Sequence, residues 1–256
     1  MLAQLSLIVI ARDEEAFIGR CLRSAAFADD VVVVEHGSSD KTVDIARQCS
    51  ARVISTPDWP GFGAQKNRAL DAATGDWVLS LDADEWIEDD LAAEIKAAIA
   101  APNGIDGYEI PRRSRFCGRI VRFGGWQPDY VLRLFRRDKG RFTKDTVHEK
   151  VKLLGRLGRL SAPIEHDSIT DLDDAHDKIG RYSAAAAAQL IEKGARGSVG
   201  KALFHSVWAF LYTYLAKLGF LDGSVGLMVA AYKASYTYQK WARVAAAGRR
   251  EQRSSG

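Results

Sequence analysis

Two aspartates, Asp82 and Asp84, follow the apolar run WVLSL at residues 77–81 and stand two positions apart. A run that apolar reads as a buried strand, so the pair sits at a strand end rather than on a solvated face. Hard carboxylate oxygens so placed suit Mg2+ or Mn2+, which bridges to a diphosphate and neutralises charge on a departing phosphate. The plainer use of Asp84 is as a helix N-cap ahead of Leu91. Between Arg112 and Lys144, 11 Lys and Arg face only Asp129 and Asp138, with Phe116, Phe123, Trp126, Tyr130 and Phe135 interleaved. Such a stretch suits single-stranded nucleic acid, or a phosphorylated sugar whose faces stack on aromatics. The acidic pair upstream favours the sugar, and no nucleic-acid partner is expected. Neither a GxGxxG fingerprint nor a P-loop signature occurs, so a dinucleotide dehydrogenase and a P-loop NTPase lose their usual support.

Strands and helices must carry these groups. LSLIVIA at residues 5–11 is a continuous apolar run, as in a strand buried on both faces. Residues 14–26 place Phe17, Ile18, Cys21, Leu22 and Ala25 at helical spacing. Strands are expected at 31–34, 52–55 and 77–81, with helices at 42–48, 65–73 and 91–100; Gly75 reads as a helix stop. Strands alternating with helices predict an α/β domain with a mostly parallel sheet. Ligands of such sheets sit beyond the carboxyl ends of the strands. The polar segments 12–15, 35–40 and 82–85 therefore converge on one edge.

The 256 residues are 47% hydrophobic and 27% charged, which excludes a disordered or fibrous chain and allows a sizeable core. Cys21, Cys49 and Cys117 are odd in number and form no CxxC pair, pointing to a reducing compartment. The first fifteen residues read as neither a secretory signal nor a membrane span. The net charge of +3 conceals an acidic front: residues 1–100 hold 9 Lys and Arg against 18 Asp and Glu. Residues 193–256 reverse this, with 10 against 2, and predict an anionic partner for the C-terminal third.

The segments IVIARDEE, VVVVEHGSSDKTVDIA, GFGAQKNRALDAATGDWVLSLDADE and RLFRRDKGRFTKDTVHEKV, in that order, carry a resemblance over nearly the whole chain. The sequence resembles inverting family 2 glycosyltransferases of GT-A fold, and among them the lipopolysaccharide core biosynthesis branch, which includes β-1,4-glucosyltransferases. The late segment GFLDG, residues 219–223, belongs to the match. The resemblance implies a nucleotide-sugar donor, a UDP-sugar, with Ala11, Arg12 and Glu14 lining the nucleoside pocket. Glu35 stands where the family usually has Asp, a carboxylate that hydrogen-bonds uracil. His36, Ser39 and Asp13 also depart from commoner family residues. Lys66 and Asn67 fall in the stretch that helps hold the donor, as does Asp82; Lys66 can screen a phosphate or sit on a helix surface. Asp84 is the expected metal ligand. An inverting transfer needs a base for the acceptor hydroxyl. The resemblance assigns Glu149, in Val147-His148-Glu149, with Asp129 as its rival. His148 is a metal ligand or an orienting group. His166, in PIEHD, is a weaker third candidate for the base, since a lone histidine there more often satisfies a backbone carbonyl.

Residues 177–193 read as a helix, 203–221 as an apolar, aromatic stretch interrupted by His205 and Lys217, and 225–244 as a second helix. Trp and Tyr beside Lys and Arg suit a bilayer interface; a helical hairpin packed on the catalytic domain, or a dimer contact, is the alternative. The expected organisation is a GT-A domain at 1–170, a C-terminal helical region at 171–245 and a disordered tail at 246–256. The expected function is hexose transfer, with glucose the expected sugar, to a lipopolysaccharide core or lipid-linked saccharide acceptor. The expected place is cytoplasmic, peripheral on an anionic inner membrane face. A nucleotidyltransferase, or a non-catalytic sugar-binding or scaffold module, is the alternative.

Overall fold

The computed structural model describes residues 3–143 and 150–254, with side chains as far as residue 248. The chain divides into two compact units, residues 1–113 with 129–166, and residues 114–128 with 167–256.

In the first unit, β1 (Leu5–Ala11), α1 (Ile18–Ser24), β2 (Asp30–Glu35), α2 (Thr42–Gln48), β3 (Arg52–Ser55), α3 (Phe62–Ala72) and β4 (Trp77–Asp82) alternate as expected. β5 (Glu85–Ile87) and α4 (Asp89–Ala100) follow. Then come β6 (Gly107–Phe116), β7 (Arg119–Ile120), β8 (Tyr130–Arg136), β9 (Gly140–Phe142), β10 (Val151–Leu153), β11 (Leu157–Arg159) and β12 (Ile164–Ile169). β6 and β12 begin in the first unit and end in the second, and β7 belongs to the second. The strand order is β3-β2-β1-β4-β8-β6-β12-β5. β3, β2, β1 and β4 run parallel, and β8 joins β4 antiparallel.

All seven residues of β1 are buried, because both faces are covered. The twofold alternation of a strand divides them. Leu5, Leu7 and Val9 join Ile18 and Leu22 of α1 and Leu91 of α4 in one core. Ile8 and Ile10 join Val32, Val34 and Leu70 of α3 in the other. α1 starts four residues later than its periodicity predicts. The Glu14 and Glu15 N–H groups donate instead to Thr42 Oγ1 and Asp40 Oδ2, drawing the chain into a turn. Gly75 does more than stop a helix: a Cβ there would stand 2.7 Å from the Ser6 nitrogen, so the backbones of β1 and its neighbour need a glycine.

The second unit holds α5 (Leu172–Glu192), α6 (Val199–Leu211), a π-helical turn (Tyr212–Ala216), a 3-10 turn (Gly219–Asp222) and α7 (Ser224–Ser254). α5 starts five residues ahead of the expected Asp177, where Asp171 accepts from the Asp174 N–H as an N-cap. The apolar stretch 203–221 is not one helix. It bends back after Leu218, whose φ is +57°, and Gly219 packs where a Cβ would stand 2.7 Å from the Thr213 oxygen. Among the described residues no helix is long and apolar enough to cross a membrane. α7 continues to Ser254, into the segment expected as a tail. The unit has its own core, in which Phe116, Val121 and Ile169 pack with Ala175, Val225 and Val229. Segment 114–128, read from sequence as part of the first domain, is thus built into the helical unit.

Candidate active site

Register places the site. Ala11 is paired with Glu35 on one side, and Ile10 with Asp82 on the other, so three strands end together. Hydrogen bonds lace the first two loops: Ser39 donates from its N–H (2.7 Å) and its hydroxyl (3.1 Å) to Asp13 Oδ1, and the Lys41 N–H donates to Glu15 Oε2 (3.0 Å). Ala11 is buried in the core beneath, and its carbonyl accepts from the His36 N–H. Arg12 is exposed, with Asp13 at 3.7 Å. Glu14 is half-buried, its N–H held by Thr42 at 2.7 Å.

Glu35 is buried at the tip of β2. Burial alone would raise its pKa, but hydrogen bonds from the Ser55 side chain and from Ser38 outweigh it and hold the carboxyl below its ordinary range. An ionised carboxylate can accept N–H donors and offers none itself.

Asp82 is the hub of a charge cluster. Lys66 Nζ lies 2.8 Å from its Oδ1, and Arg133 holds its Oδ2. Arg133 also donates to Glu85 Oε1 at 2.8 Å, and Arg112 reaches the same oxygen at 3.2 Å. Arg112 continues to Asp129 Oδ2 at 2.7 Å. Burial would raise the Asp82 pKa, but the charges of Arg133 and Lys66 drive it far below the usual carboxylate range. Burial would lower the Arg133 pKa, and Asp82 and Glu85 reverse that. Lys66 is buried, so it is no surface lysine. Behind the cluster, the Cys21 thiol is pushed well up, by burial first and then by Glu85, Asp82 and Asp84, and stays neutral.

Asp84 differs from Asp82. Its Oδ2 stands 3.4 Å from His166 Nε2, on the first turn past β4 and on β12 respectively. Two ligands at right angles on one ion at about 2.1 Å stand ~3 Å apart, so this pair fits a divalent cation. Among the described residues no group of three or more His, Cys, Asp and Glu side chains is disposed to hold an ion. Asp84 and His166 therefore offer two positions, and a diphosphate and water would have to fill the rest. A carboxylate with an imidazole accommodates Mn2+ more readily than Mg2+, which prefers oxygen throughout.

The other expected residues fall elsewhere. Asn67 clasps the backbone of Phe142, donating from Nδ2 to its oxygen (3.0 Å) and accepting its N–H at Oδ1 (3.1 Å). Its amide therefore fixes β9 rather than pointing at a donor. Asp129 takes both Arg112 Nε and Nη2 on one oxygen. His148 and Glu149 lie outside the described residues. Sequence reasoning did not single out Arg133, Arg112 or Glu85. Arg133 carried a signal, since an arginine inside the apolar strand YVLRLFR requires a partner. Arg112 is one of eleven basic residues and carried none.

Residues 6–152 match the model of Glycosyl transferase family 2. The lipopolysaccharide core biosynthesis glycosyltransferase LpsC of Rhizobium meliloti (strain 1021) is 29% identical over 93% of this chain and 93% of its own length. An uncharacterized glycosyltransferase of Rickettsia typhi is 29% identical over 90% of this chain and 83% of its own. Among solved structures, glucosyl-3-phosphoglycerate synthase from Mycobacterium tuberculosis, in complex with Mn2+, UDP and glucosyl-3-phosphoglycerate, is similar over 45% of each chain. That match has 26% identity and a TM-score of 0.37.

Proposed function

The chain belongs to glycosyl transferase family 2, and we propose that it moves a hexose, glucose in this reading, from a UDP-sugar to a saccharide acceptor with inversion at the anomeric carbon. The acceptor is a lipopolysaccharide core or a lipid-linked saccharide, a choice supported by the full-length similarity to a lipopolysaccharide core enzyme. The observation that carries the reading is the pair Asp84 and His166 beside the Asp82–Lys66–Arg133 cluster at the end of β4.

Asp84 and His166 would hold Mg2+ or Mn2+, which when bound neutralises charge on the departing nucleoside diphosphate. Glu35, ionised and buried at the neighbouring strand end, accepts an N–H of the base. Asp82, paired with both cations, keeps Lys66 and Arg133 fixed, so the cluster's positive edge needs no reorganisation as charge develops. Glu149 takes the proton of the acceptor hydroxyl while that oxygen bonds to the anomeric carbon and the bond to the diphosphate breaks on the opposite face. The basic C-terminal third keeps the protein on the inner membrane face, where a lipid-linked acceptor lies.

Incubating the full chain with UDP-glucose, Mn2+ and a core-saccharide acceptor tests this. UDP and a lengthened acceptor are expected. Release of pyrophosphate instead would make it a nucleotidyltransferase, and no turnover with any nucleotide hexose would leave a binding module.

A further inference from the structure

The second unit contains a helix with its faces reversed. α6 packs on α7 through small residues: Ala202 is buried, and Ser206 Oγ donates to the Ala234 oxygen at 2.9 Å. His205 stacks on Trp241 with centroids 5.0 Å apart. Its large apolar side chains face the other way. Phe204 is 67% and Trp208 58% exposed, and Leu203, Val207, Leu211 and Leu215 continue the row. A helix of a soluble domain buries such a row. An exposed apolar surface this continuous marks a site of contact.

The row runs on through Leu218 and Phe220 to Leu221, which also lines an open hollow of about 520 Å³. Arg115, Arg119 and Arg122 line the same hollow with Asp222 and Val225. The Asp222 carboxylate accepts the N–H groups of Arg122 (3.0 Å) and Phe123 (2.8 Å), so it is engaged in holding the loop. Arg119 Nη1 reaches Ser224 Oγ at 3.5 Å. Three guanidinium groups against one carboxylate give the hollow a positive balance, and planar guanidinium suits phosphate oxygens. Sequence reading pooled these arginines with Arg112 and Arg133 as one acceptor patch. The structure puts them in the other unit, beside the apolar row.

We propose that this hollow takes the phosphate of an anionic phospholipid headgroup, with the α6 row lying in the acyl boundary of the same leaflet. The inference rests on the membrane-surface part of the reading above and names the residues that choose the lipid. No helix crosses the bilayer among the described residues, so α6 lies in its plane. A second copy of the chain meeting this face would bring the same arginine-rich lining against itself, so charge favours a lipid over self-association.

Co-sedimentation of the full chain with phosphatidylglycerol and phosphatidylcholine vesicles tests the proposal. The chain should prefer the anionic vesicles. Arg119→Gln with Arg122→Gln should weaken that binding by about 25-fold, at about fivefold for each basic residue near an anionic surface. Phe204→Ser with Trp208→Ser should weaken binding to both vesicle types. Circular dichroism checks that these exposed substitutions leave the fold intact. Equal binding to both vesicle types, lost only in the aromatic variant, would keep the membrane reading and overturn the headgroup site. No binding to either type would overturn both, and UDP release measured alongside reports separately on transfer. Binding of inorganic phosphate with the same arginine dependence, but no vesicle binding, would assign the hollow to a soluble phosphate. A concentration-dependent dimer that buries Trp208 would assign the row to a second copy; either result overturns the proposal.

Discussion

Lys66 and Arg133 close on opposite oxygens of Asp82, while Asp84, two residues on, faces His166 instead. The spacing of two therefore separates two jobs. A strand reverses side-chain direction at each step, but the chain leaves β4 at Asp82, and Asp84 turns with the loop.

Asp82→Asn and Asp84→Asn should consequently fail in different ways. Asp82→Asn strips the counter-charge from two buried cations and should lower unfolding free energy by about 3 kcal/mol, the lower end of the range for a broken buried pair. Asp84→Asn should change stability by no more than about 0.5 kcal/mol and abolish Mn2+-dependent turnover. Urea titration beside UDP release checks both. Equal stability losses would mean that the two aspartates share one structural role.

His166 carries the second prediction. Replacing it with Ala removes one of two protein positions for the ion. The Mn2+ concentration for half-maximal turnover should rise by more than about tenfold. An unchanged Mn2+ dependence would return the role to another residue, His148 first.

The parallel strands of the first unit could be read from sequence because each is a local apolar run, and their alternation with helices dictates where polar loops gather. Site partners that join distant segments could not. Asp82 and Arg133 meet only because β8 lies antiparallel to β4, with Leu79 opposite Leu134, and nothing local specifies that pairing. Asn67 looked like a donor ligand by its place in the chain, yet its amide is spent on Phe142, seventy-five residues away. The C-terminal helices looked appended for the same reason. Val225 and Val229 pack with Phe116 and Val121, so a chain cut near Gly200 would open that core, and point variants are the sounder probe.

Acid should weaken the fold through Asp30. Burial would raise its pKa, but Thr74, Ser6 and Arg52 hydrogen-bond the ionised form and hold it below the ordinary value. A carboxyl depressed in the folded state contributes stability above the unfolded pKa, near about 4, and loses it as pH falls towards the folded value. Asp30→Asn should therefore be less stable than the wild type at neutral pH, with the gap narrowing below about pH 4. A gap constant across that window, measured by urea unfolding, would mean the substitution acts through packing alone.

The final prediction separates two carboxylates proposed for one proton. Both Arg112 Nε (2.9 Å) and Arg112 Nη2 (2.7 Å) reach Asp129 Oδ2, and Arg112 also reaches the buried Glu85. Two donors of one guanidinium on a single carboxylate oxygen fix where Arg112 points. We therefore read Asp129 as a positioning residue for Arg112, with Glu149 as the proposed base. Glu149→Gln should keep donor affinity and lower the transfer rate by about 10²–10⁴-fold, the range for a missing general base, and the acid limb of the pH–rate profile should flatten. Asp129→Asn should keep that limb, because the base is intact, and lower the rate to a smaller extent through a misplaced Arg112. Donor binding by calorimetry and rates across pH for both variants decide the matter. If Asp129→Asn flattens the acid limb and Glu149→Gln does not, the proton goes to Asp129.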